Sequence, residues 1–331
     1  MPAPSHLRIW WKRRPPTAGA AVMATGIVSA ALRLAGYEVL SLIALAMTCA
    51  AWLALGVDFL VGLLWQRDRW AAEARTPGAL TAVAATTVLG TDFSALGRQV
   101  PAAALLALAT VLWPVLLGLF VRNWRRRMSG AVFLCCVATE GLAVLGATLG
   151  GATATAWLAH AALALFWLGL VLYGLALARF DMRQVLEGAG DHWIAGGALA
   201  ISALAGAKLI AAESRRLYLW NDDDLGVLRE VTLALLVLDL AWYVVLLAAE
   251  VARPRLRYDR RRWATVFPLG MTSAATLSVA AALGIPWLRG PGEVLLWIAV
   301  AAWLAVAAGA VRSARAGARV LRRGIRSTAR R

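Results

Sequence analysis

GAVFLCCVATEGLAVLGATLG, residues 130–150, is a run of apolar and small side chains that contains a single charged residue, Glu140. A helix needs about 20 mostly apolar residues to cross the hydrocarbon core of a bilayer, and this run provides them. Gly141 and Gly146 lie within it, and small residues allow membrane helices to approach one another closely. We therefore predict a transmembrane helix here that packs against other helices of the same protein.

Comparable runs extend from this segment towards both ends of the chain. Hydrophobic residues make up 61 % of the sequence, well above the roughly 45–50 % of soluble domains. We predict an all-α integral membrane protein with a basic N-terminus over residues 1–15, one ten-helix domain over 16–311 and a basic tail over 312–331. The ten predicted spans are Pro16–Gly36, Val39–Trp65, Pro77–Gly97, Pro101–Val121, Gly130–Gly150, Thr155–Ala178, His192–Ala212, Val227–Val251, Trp263–Leu283 and Glu293–Val311. Turns are predicted at residues 36–38, 98–100, 150–151 and 289–292, and an acidic external loop at 222–224.

The net charge of +16 could indicate a nucleic-acid partner, but its distribution indicates a membrane instead. In the ten-span topology, the termini and the even loops carry 27 of the 34 Lys and Arg residues, and the other side carries 7. Positive residues concentrate on the cytoplasmic side of membrane proteins. We therefore predict a multi-pass protein of the bacterial cytoplasmic membrane with both termini in the cytoplasm, whose partner is the lipid bilayer and not nucleic acid.

Small and hydroxyl residues are concentrated in the odd-numbered spans, whereas Leu, Phe and Trp dominate the even ones. Small residues favour helix contacts, and bulky apolar residues suit lipid. The alternation predicts five hairpins whose odd helices surround a central pore, with the even helices outside. Another interpretation stays open, in which the small residues only allow tight packing in a bundle without a pore. The candidate pore-lining residues are Thr25, Gly26, Thr86, Thr87, Glu140, Gly197, Ser202, Thr272 and Thr276.

Four motifs on the odd spans resemble one known family. They are Met23–Val28 (MATGIV), Ala138–Leu145 (ATEGLAVL), Gly190–Ile194 (GDHWI) followed by Gly197–Ile201 (GALAI), and Trp263–Gly270 (WATVFPLG). Their order and spacing resemble the tellurite-resistance/dicarboxylate transporter family, which includes bacterial TehA, yeast malate and sulfite permeases and plant slow anion channels. The resemblance implies a ten-helix pore for small anions, often in a homotrimer, and a pore-plugging phenylalanine that matches Phe267.

Phe267 precedes Pro268, and proline inside a helix frees a backbone carbonyl and permits a kink. A bulky ring on a helix of small residues would narrow a central path, so we predict a gate at this pair. A packing aromatic at the cytoplasmic end is the open alternative. Glu140, at mid-span, is a candidate for proton coupling, in which its neutral form suits an anion path better than a carboxylate. A structural hydrogen bond between helices is the open alternative for Glu140. His192 is a second candidate because histidine titrates near neutral pH, although a cap or interface role is the preferred interpretation.

Lys208, Arg215 and Arg216 follow one another near the outer end of the seventh span. They could raise the anion concentration at a pore mouth, although snorkelling of Lys208 to the interface is the preferred interpretation. No enzyme motif, metal site or cofactor site is predicted. The predicted function is a transporter or channel for small anions (C4-dicarboxylate, sulfite, nitrate, chloride or tellurite-related), passive or proton-coupled. A non-transporting structural subunit or an intramembrane enzyme stays open as the alternative.

Overall fold

The computed structural model describes residues 18–188, 190–213, 219–253 and 259–328. These residues form helices and turns with one isolated bridge between Met128 and Phe180, and no strand occurs among them. The prediction of an all-α membrane protein is confirmed. The ten long helices are α1 (Ala18–Leu34), α2 (Glu38–Trp65), α3 (Leu80–Ala95), α4 (Gln99–Val121), α5 (Leu134–Thr153), α6 (Ala156–Leu177), α7 (Ile194–Ala212), α8 (Asp222–Ala252), α9 (Trp263–Leu283) and α10 (Arg289–Thr328).

Short helical turns precede several of the long helices. Two short α-helices, Arg67–Ala74 and Gln184–Glu187, lie in the α2–α3 and α6–α7 connections. The 3₁₀ turns are Pro77–Ala79 before α3, Gly130–Phe133 before α5, Asp191–Trp193 before α7, Arg260–Arg262 before α9 and Pro286–Leu288 before α10. In the described chain, eight helices are long and apolar enough to cross a membrane. The ten crossings therefore stay a prediction.

The length of α3 is consistent with that prediction. Its 16 residues rise about 24 Å at 1.5 Å per residue. The three residues of the preceding 3₁₀ turn add about 6 Å. Together they match a hydrocarbon core of about 30 Å.

Several predicted boundaries are wrong, each for a local reason. Asp222–Asp224 is the first turn of α8 rather than a loop, because the Asn221 side chain caps the helix by accepting a hydrogen bond from the Asp224 amide at 2.7 Å. Acidic residues are also favoured in a first turn by the helix dipole. The predicted turn at 289–292 is the start of α10, where proline is tolerated, and residues 150–151 are helical because α5 ends at Thr153. α10 continues past the predicted Val311 to Thr328, so the predicted tail over 312–331 begins within this helix and stays a prediction.

Some predictions fall on residues that the structure does not describe. They are the N-terminal region 1–15, Pro16, the pair Arg215 and Arg216, and the last residues of the tail, 329–331.

Consecutive helices pair into five hairpins, and the odd helices also contact one another. Contacts join α1 to α3, α3 to α5, α5 to α7, α7 to α9 and α9 back to α1, so the odd helices close on themselves. In the apolar centres of α5, α7 and α9, between 78 % and 94 % of residues are buried, against 17–33 % in the even helices. The apolar surface that remains exposed on the even helices suits lipid.

Candidate functional site

All five odd helices contribute to the wall of one cavity of about 30 Å³. This volume exceeds the roughly 10–15 Å³ that one water needs. Among the described residues, the side chains of the wall present methyl, methylene, thioether and hydroxyl groups and no ionisable group. The lining residues are Ile27 and Ala30 of α1, Thr87, Val88 and Thr91 of α3, Gly141 and Val144 of α5, Ile201 and Leu204 of α7, and Met271 of α9.

Phe267 and Pro268 lie one helical turn before Met271 on α9, and both are buried. A Cβ atom added at Gly197 of α7 would come within 2.9 Å of the Pro268 Cγ and 3.2 Å of the Phe267 Cε1. The absence of a side chain at Gly197 therefore lets α7 and α9 approach at the position of the predicted gate. The structure brings together Gly197, Phe267 and Pro268, three of the residues that the sequence indicated.

Tryptophans on even helices bond to threonines on odd helices, and two of those threonines are predicted pore-lining residues. The contacts are Trp303 Nε1 to Thr25 Oγ1 (3.0 Å), Trp52 Nε1 to Thr86 Oγ1 (2.9 Å) and Trp113 Nε1 to Thr139 Oγ1 (2.9 Å). Each threonine donates its own hydroxyl to the carbonyl four residues earlier, at 2.7–2.8 Å. Because an indole N–H can only donate, the arrangement satisfies both partners. The hydroxyls of Thr25 and Thr86 are thus directed to even helices, whereas Thr87 lines the cavity.

Glu140 lies in the seam between α5, α6 and α7 rather than in the cavity wall. Its side chain is fully buried, and its Oε1 accepts a hydrogen bond from Ser202 of α7 at 3.0 Å. A Cβ atom at Gly169 of α6 would overlap this carboxyl group. The Oε2 atom has no hydrogen-bond partner among the described residues. A buried acid with an unpartnered oxygen is costly unless the group is neutral.

A second buried acid, Asp239 of α8, occupies the corresponding position near α9. Its Oδ1 accepts a hydrogen bond from Thr272 at 3.3 Å, and Gly196 of α7 lies beside it. Thr276 donates to the Thr272 carbonyl at 2.7 Å. The predicted pore residues Thr272 and Thr276 therefore make their hydrogen bonds within α9 and the α8–α9 seam.

The remaining candidates, Gly26 and His192, lie at helix contacts. A Cβ atom at Gly26 would come within 2.8 Å of Val88 Cγ1 and 3.2 Å of Thr48 Cγ2, so this glycine allows α1 to approach α2 and α3. His192 is fully buried at the start of the α7 segment, where the backbone of Gly130 packs against it. Among the described residues, no cluster of three or more His, Cys, Asp or Glu could hold a metal ion.

The comparison with known proteins identifies the family. The sequence profile of the voltage-dependent anion channel family matches residues 13–311, which is most of the chain. This chain belongs to the voltage-dependent anion channel family. The resemblance predicted from the four motifs is thereby confirmed. The family consists of channels and transporters for anions, and this assigns anion transport to the chain in general terms.

The chain is also similar to two individual membrane proteins. Two uncharacterized membrane proteins from two strains of Mycobacterium tuberculosis are each 29 % identical over 118 residues, covering 34 % of this chain and 58 % of the relative. The match thus spans little more than half the length of these relatives.

Most of the cavity lining of this family member was missed by the sequence-based selection. Glycine and hydroxyl residues were the main lining candidates, but large apolar residues, Ile27, Val144, Ile201, Leu204 and Met271, make up half of the ten lining residues. A usable signal was present in the spacing, because Thr87 and Thr91, or Gly141 and Val144, share one helix face at separations of four and three residues.

Proposed function

We propose that this protein conducts small anions through the space enclosed by its odd helices, and that Phe267 with Pro268 gates this path. The observation that carries the proposal is the cavity to which all five odd helices contribute and whose described lining residues include no ionisable side chain. Such a wall binds an anion weakly, and conduction requires that binding be easily reversed. The family supports anions as the class of substrate.

The cavity is too small for a hydrated anion, since about 30 Å³ holds one or two waters. Conduction therefore requires the odd helices or their side chains to move. Phe267 is a suitable moving part because it is the only phenylalanine of α9 and lies one turn from the cavity. Its ring rests against Gly197, so rotation of one side chain changes the width of the path.

The finer parts of the proposal concern substrate, coupling and assembly. The substrates to compare are chloride, nitrate, sulfite, a C4-dicarboxylate and a tellurite-related anion. Transport is passive or proton-coupled, with Glu140 as the coupling group and His192 as the second candidate. We further propose a homotrimer in the bacterial cytoplasmic membrane with both termini in the cytoplasm.

The test of the gate is anion flux into proteoliposomes by wild type, Phe267→Ala and Phe166→Ala. Phe166 of α6 is as fully buried as Phe267, so it is a matched control for loss of a buried ring. We expect Phe267→Ala to increase flux and Phe166→Ala to leave flux per folded protein unchanged. Equal flux in all three would contradict the gate. A folded wild type that passes none of the five anions would overturn conduction and favour a non-transporting subunit.

Proton coupling is tested separately with Glu140→Gln. The glutamine keeps the shape of the side chain but holds no exchangeable carboxyl proton. We expect the pH dependence of flux to disappear in Glu140→Gln and to persist in Asp239→Asn, which alters the other seam acid. An unchanged pH dependence in Glu140→Gln would mean that Glu140 has a structural role only.

A further inference from the structure

The cavity-facing side of α7 continues towards the end of the helix and carries a cation there. Ile201 and Leu204 line the cavity, and Lys208 follows them by seven and four residues. Seven residues turn a helix through about 700°, only about 20° short of two full turns, so Lys208 shares the face of Ile201. It lies about 10.5 Å further along the axis. Lys208 is half-buried, unlike the exposed residues of the even helices.

The neighbouring helix α9 places a hydroxyl at the same level. Gly197 faces Phe267, and Ile201 shares the cavity with Met271. The residue numbers of the α7 and α9 partners differ by the same amount in both pairs. Applied to Lys208, this difference gives Ser278 as its partner on α9, seven residues beyond Met271. Ser278 is only 5 % exposed, and its Oγ has no hydrogen-bond partner among the described residues. An unpartnered hydroxyl at this depth is unfavourable unless a ligand or water bonds to it.

Two other polar groups at this end, Thr148 and Glu213, are already engaged. Thr148, seven residues beyond Gly141 on α5, donates its hydroxyl to the Val144 carbonyl at 2.7 Å. Glu213 accepts hydrogen bonds from the backbone amides that follow α7, at 3.1 and 3.2 Å. Asp92 of α3 interacts electrostatically with Arg33 of α1, but the Asp92 Oδ2 and the Arg33 Nε and Nη2 have no hydrogen-bond partner among the described residues. Within the described chain, no carboxylate forms an ion pair with Lys208.

We infer that Lys208 and Ser278 form a second anion-binding position, beyond the cavity on the side where α7 ends. The ammonium supplies charge and up to three donors, and the hydroxyl supplies a fourth. A single ammonium without an arginine fork suits a small monovalent anion such as chloride or nitrate better than a dicarboxylate. This position would concentrate the anion at the mouth of the path. The inference rests on the proposed function, since it assigns a binding position to the anion that the protein conducts.

Two measurements test this position, one of binding and one of flux. The melting temperature of the detergent-purified protein is measured in sodium nitrate and in sodium gluconate at equal ionic strength. Because a ligand that binds only the folded state stabilises it, we expect nitrate to raise the melting temperature of wild type and Lys208→Arg but not of Lys208→Met. Ser278→Ala should reduce the rise.

In proteoliposomes, Lys208→Met should increase the nitrate concentration for half-maximal flux by about threefold or more, the effect of one unit charge at ~6 Å in a water-like medium. Arg229→Met is the control, since it removes one positive charge from an exposed position on α8. Equal shifts for both variants, or none for either, would overturn the position. If wild type conducts nothing but nitrate still stabilises it through Lys208, the binding site stands and the conduction proposal falls.

Discussion

Gly197 is the position where one added methyl group most directly tests the contact at the proposed gate. In Gly197→Ala, the new Cβ would lie 2.9 Å from the Pro268 Cγ, 3.1 Å from its Cβ and 3.2 Å from the Phe267 Cε1. Carbon atoms prefer separations of about 3.5–4.0 Å, so the shortfall at the Pro268 Cγ is about 0.6–1.1 Å. The proline ring is fixed to the backbone of α9, and it cannot rotate away. The two helices must therefore separate.

Overpacking of this kind costs about 1–3 kcal/mol, and we expect Gly197→Ala to lower the free energy of unfolding by that amount. The control is Gly174→Ala on α6, where a new Cβ would have no neighbour within 4 Å. Alanine there should be neutral or slightly stabilising, because it restricts the unfolded chain. Denaturant unfolding in detergent and thermal melting measure both variants.

Combining Gly197→Ala with Phe267→Ala separates the two contacts at this position. Removing the ring eliminates the 3.2 Å contact but leaves the closer ones to Pro268, so the double variant should recover only part of the stability that the methyl group costs. A Gly197→Ala protein that is as stable as Gly174→Ala would refute the close approach of α7 and α9. Full recovery in the double variant would show that the ring, not the proline, limits the approach.

Two further substitutions test the contacts between even and odd helices. Thr139→Val removes the acceptor of the Trp113 indole N–H. It should lower the free energy of unfolding by about 0.6 kcal/mol and at most ~1.7 kcal/mol, which is what interhelical hydrogen bonds contribute in membranes. Thr148→Val loses only a hydrogen bond within α5, so it should lower the stability less than Thr139→Val does. Equal losses of stability for the two variants in thermal unfolding would show that the indole hydrogen bond contributes nothing. Gly169→Ala places a Cβ against the Glu140 carboxyl group and should destabilise by about 1–3 kcal/mol. Adding Glu140→Ala should reverse part of that loss in the same melts, and no reversal would mean that the two residues are not in contact.

The all-α class, and the order and approximate position of the helices, could be predicted from the sequence. Apolar run length and loop charge are local properties, and most predicted ends fall within a few residues of the observed ones. The larger misses are the end of α10, which continues past the predicted Val311 to Thr328, and the start of α8, which depends on a cap. Asn221 accepts a hydrogen bond from the Asp224 amide and so begins α8 five residues before the predicted Val227. A charged run next to a good cap is compatible with both loop and helix.

The direction of side chains on the odd helices was less predictable than their residue type. Thr86 and Thr87 are adjacent and chemically identical, yet Thr86 accepts a bond from Trp52 and Thr87 faces the cavity. The choice depends on which even helix packs outside α3, and this is a tertiary contact. Composition alone therefore identified the helices that contribute to the cavity, but it did not identify most of the lining side chains.

The locations of Glu140 and Asp239 show how buried acids and an anion path can coexist in one bundle. A carboxylate in the cavity wall would repel an anion with little water to screen it, but both acids lie in seams between helices. Each accepts one hydroxyl hydrogen bond, from Ser202 and Thr272 respectively, and each retains a second oxygen without a partner among the described residues.

These seams join the helices that must shift if the cavity is to widen. Placing an ionised carboxylate at mid-membrane costs at least about 2.5–3.5 kcal/mol, and a seam that opens to water would lower that cost. Ionisation of Glu140 and separation of α5 from α7 would then favour one another, whereas a neutral Glu140 would favour the packed seam. The proposed proton coupling would therefore need no proton in the anion path. The pH dependence of flux in Ser202→Ala distinguishes coupling through the seam from direct repulsion between Glu140 and the anion. Loss of the Ser202 hydroxyl loosens the seam and should shift the pH dependence, although the cavity wall is unaltered.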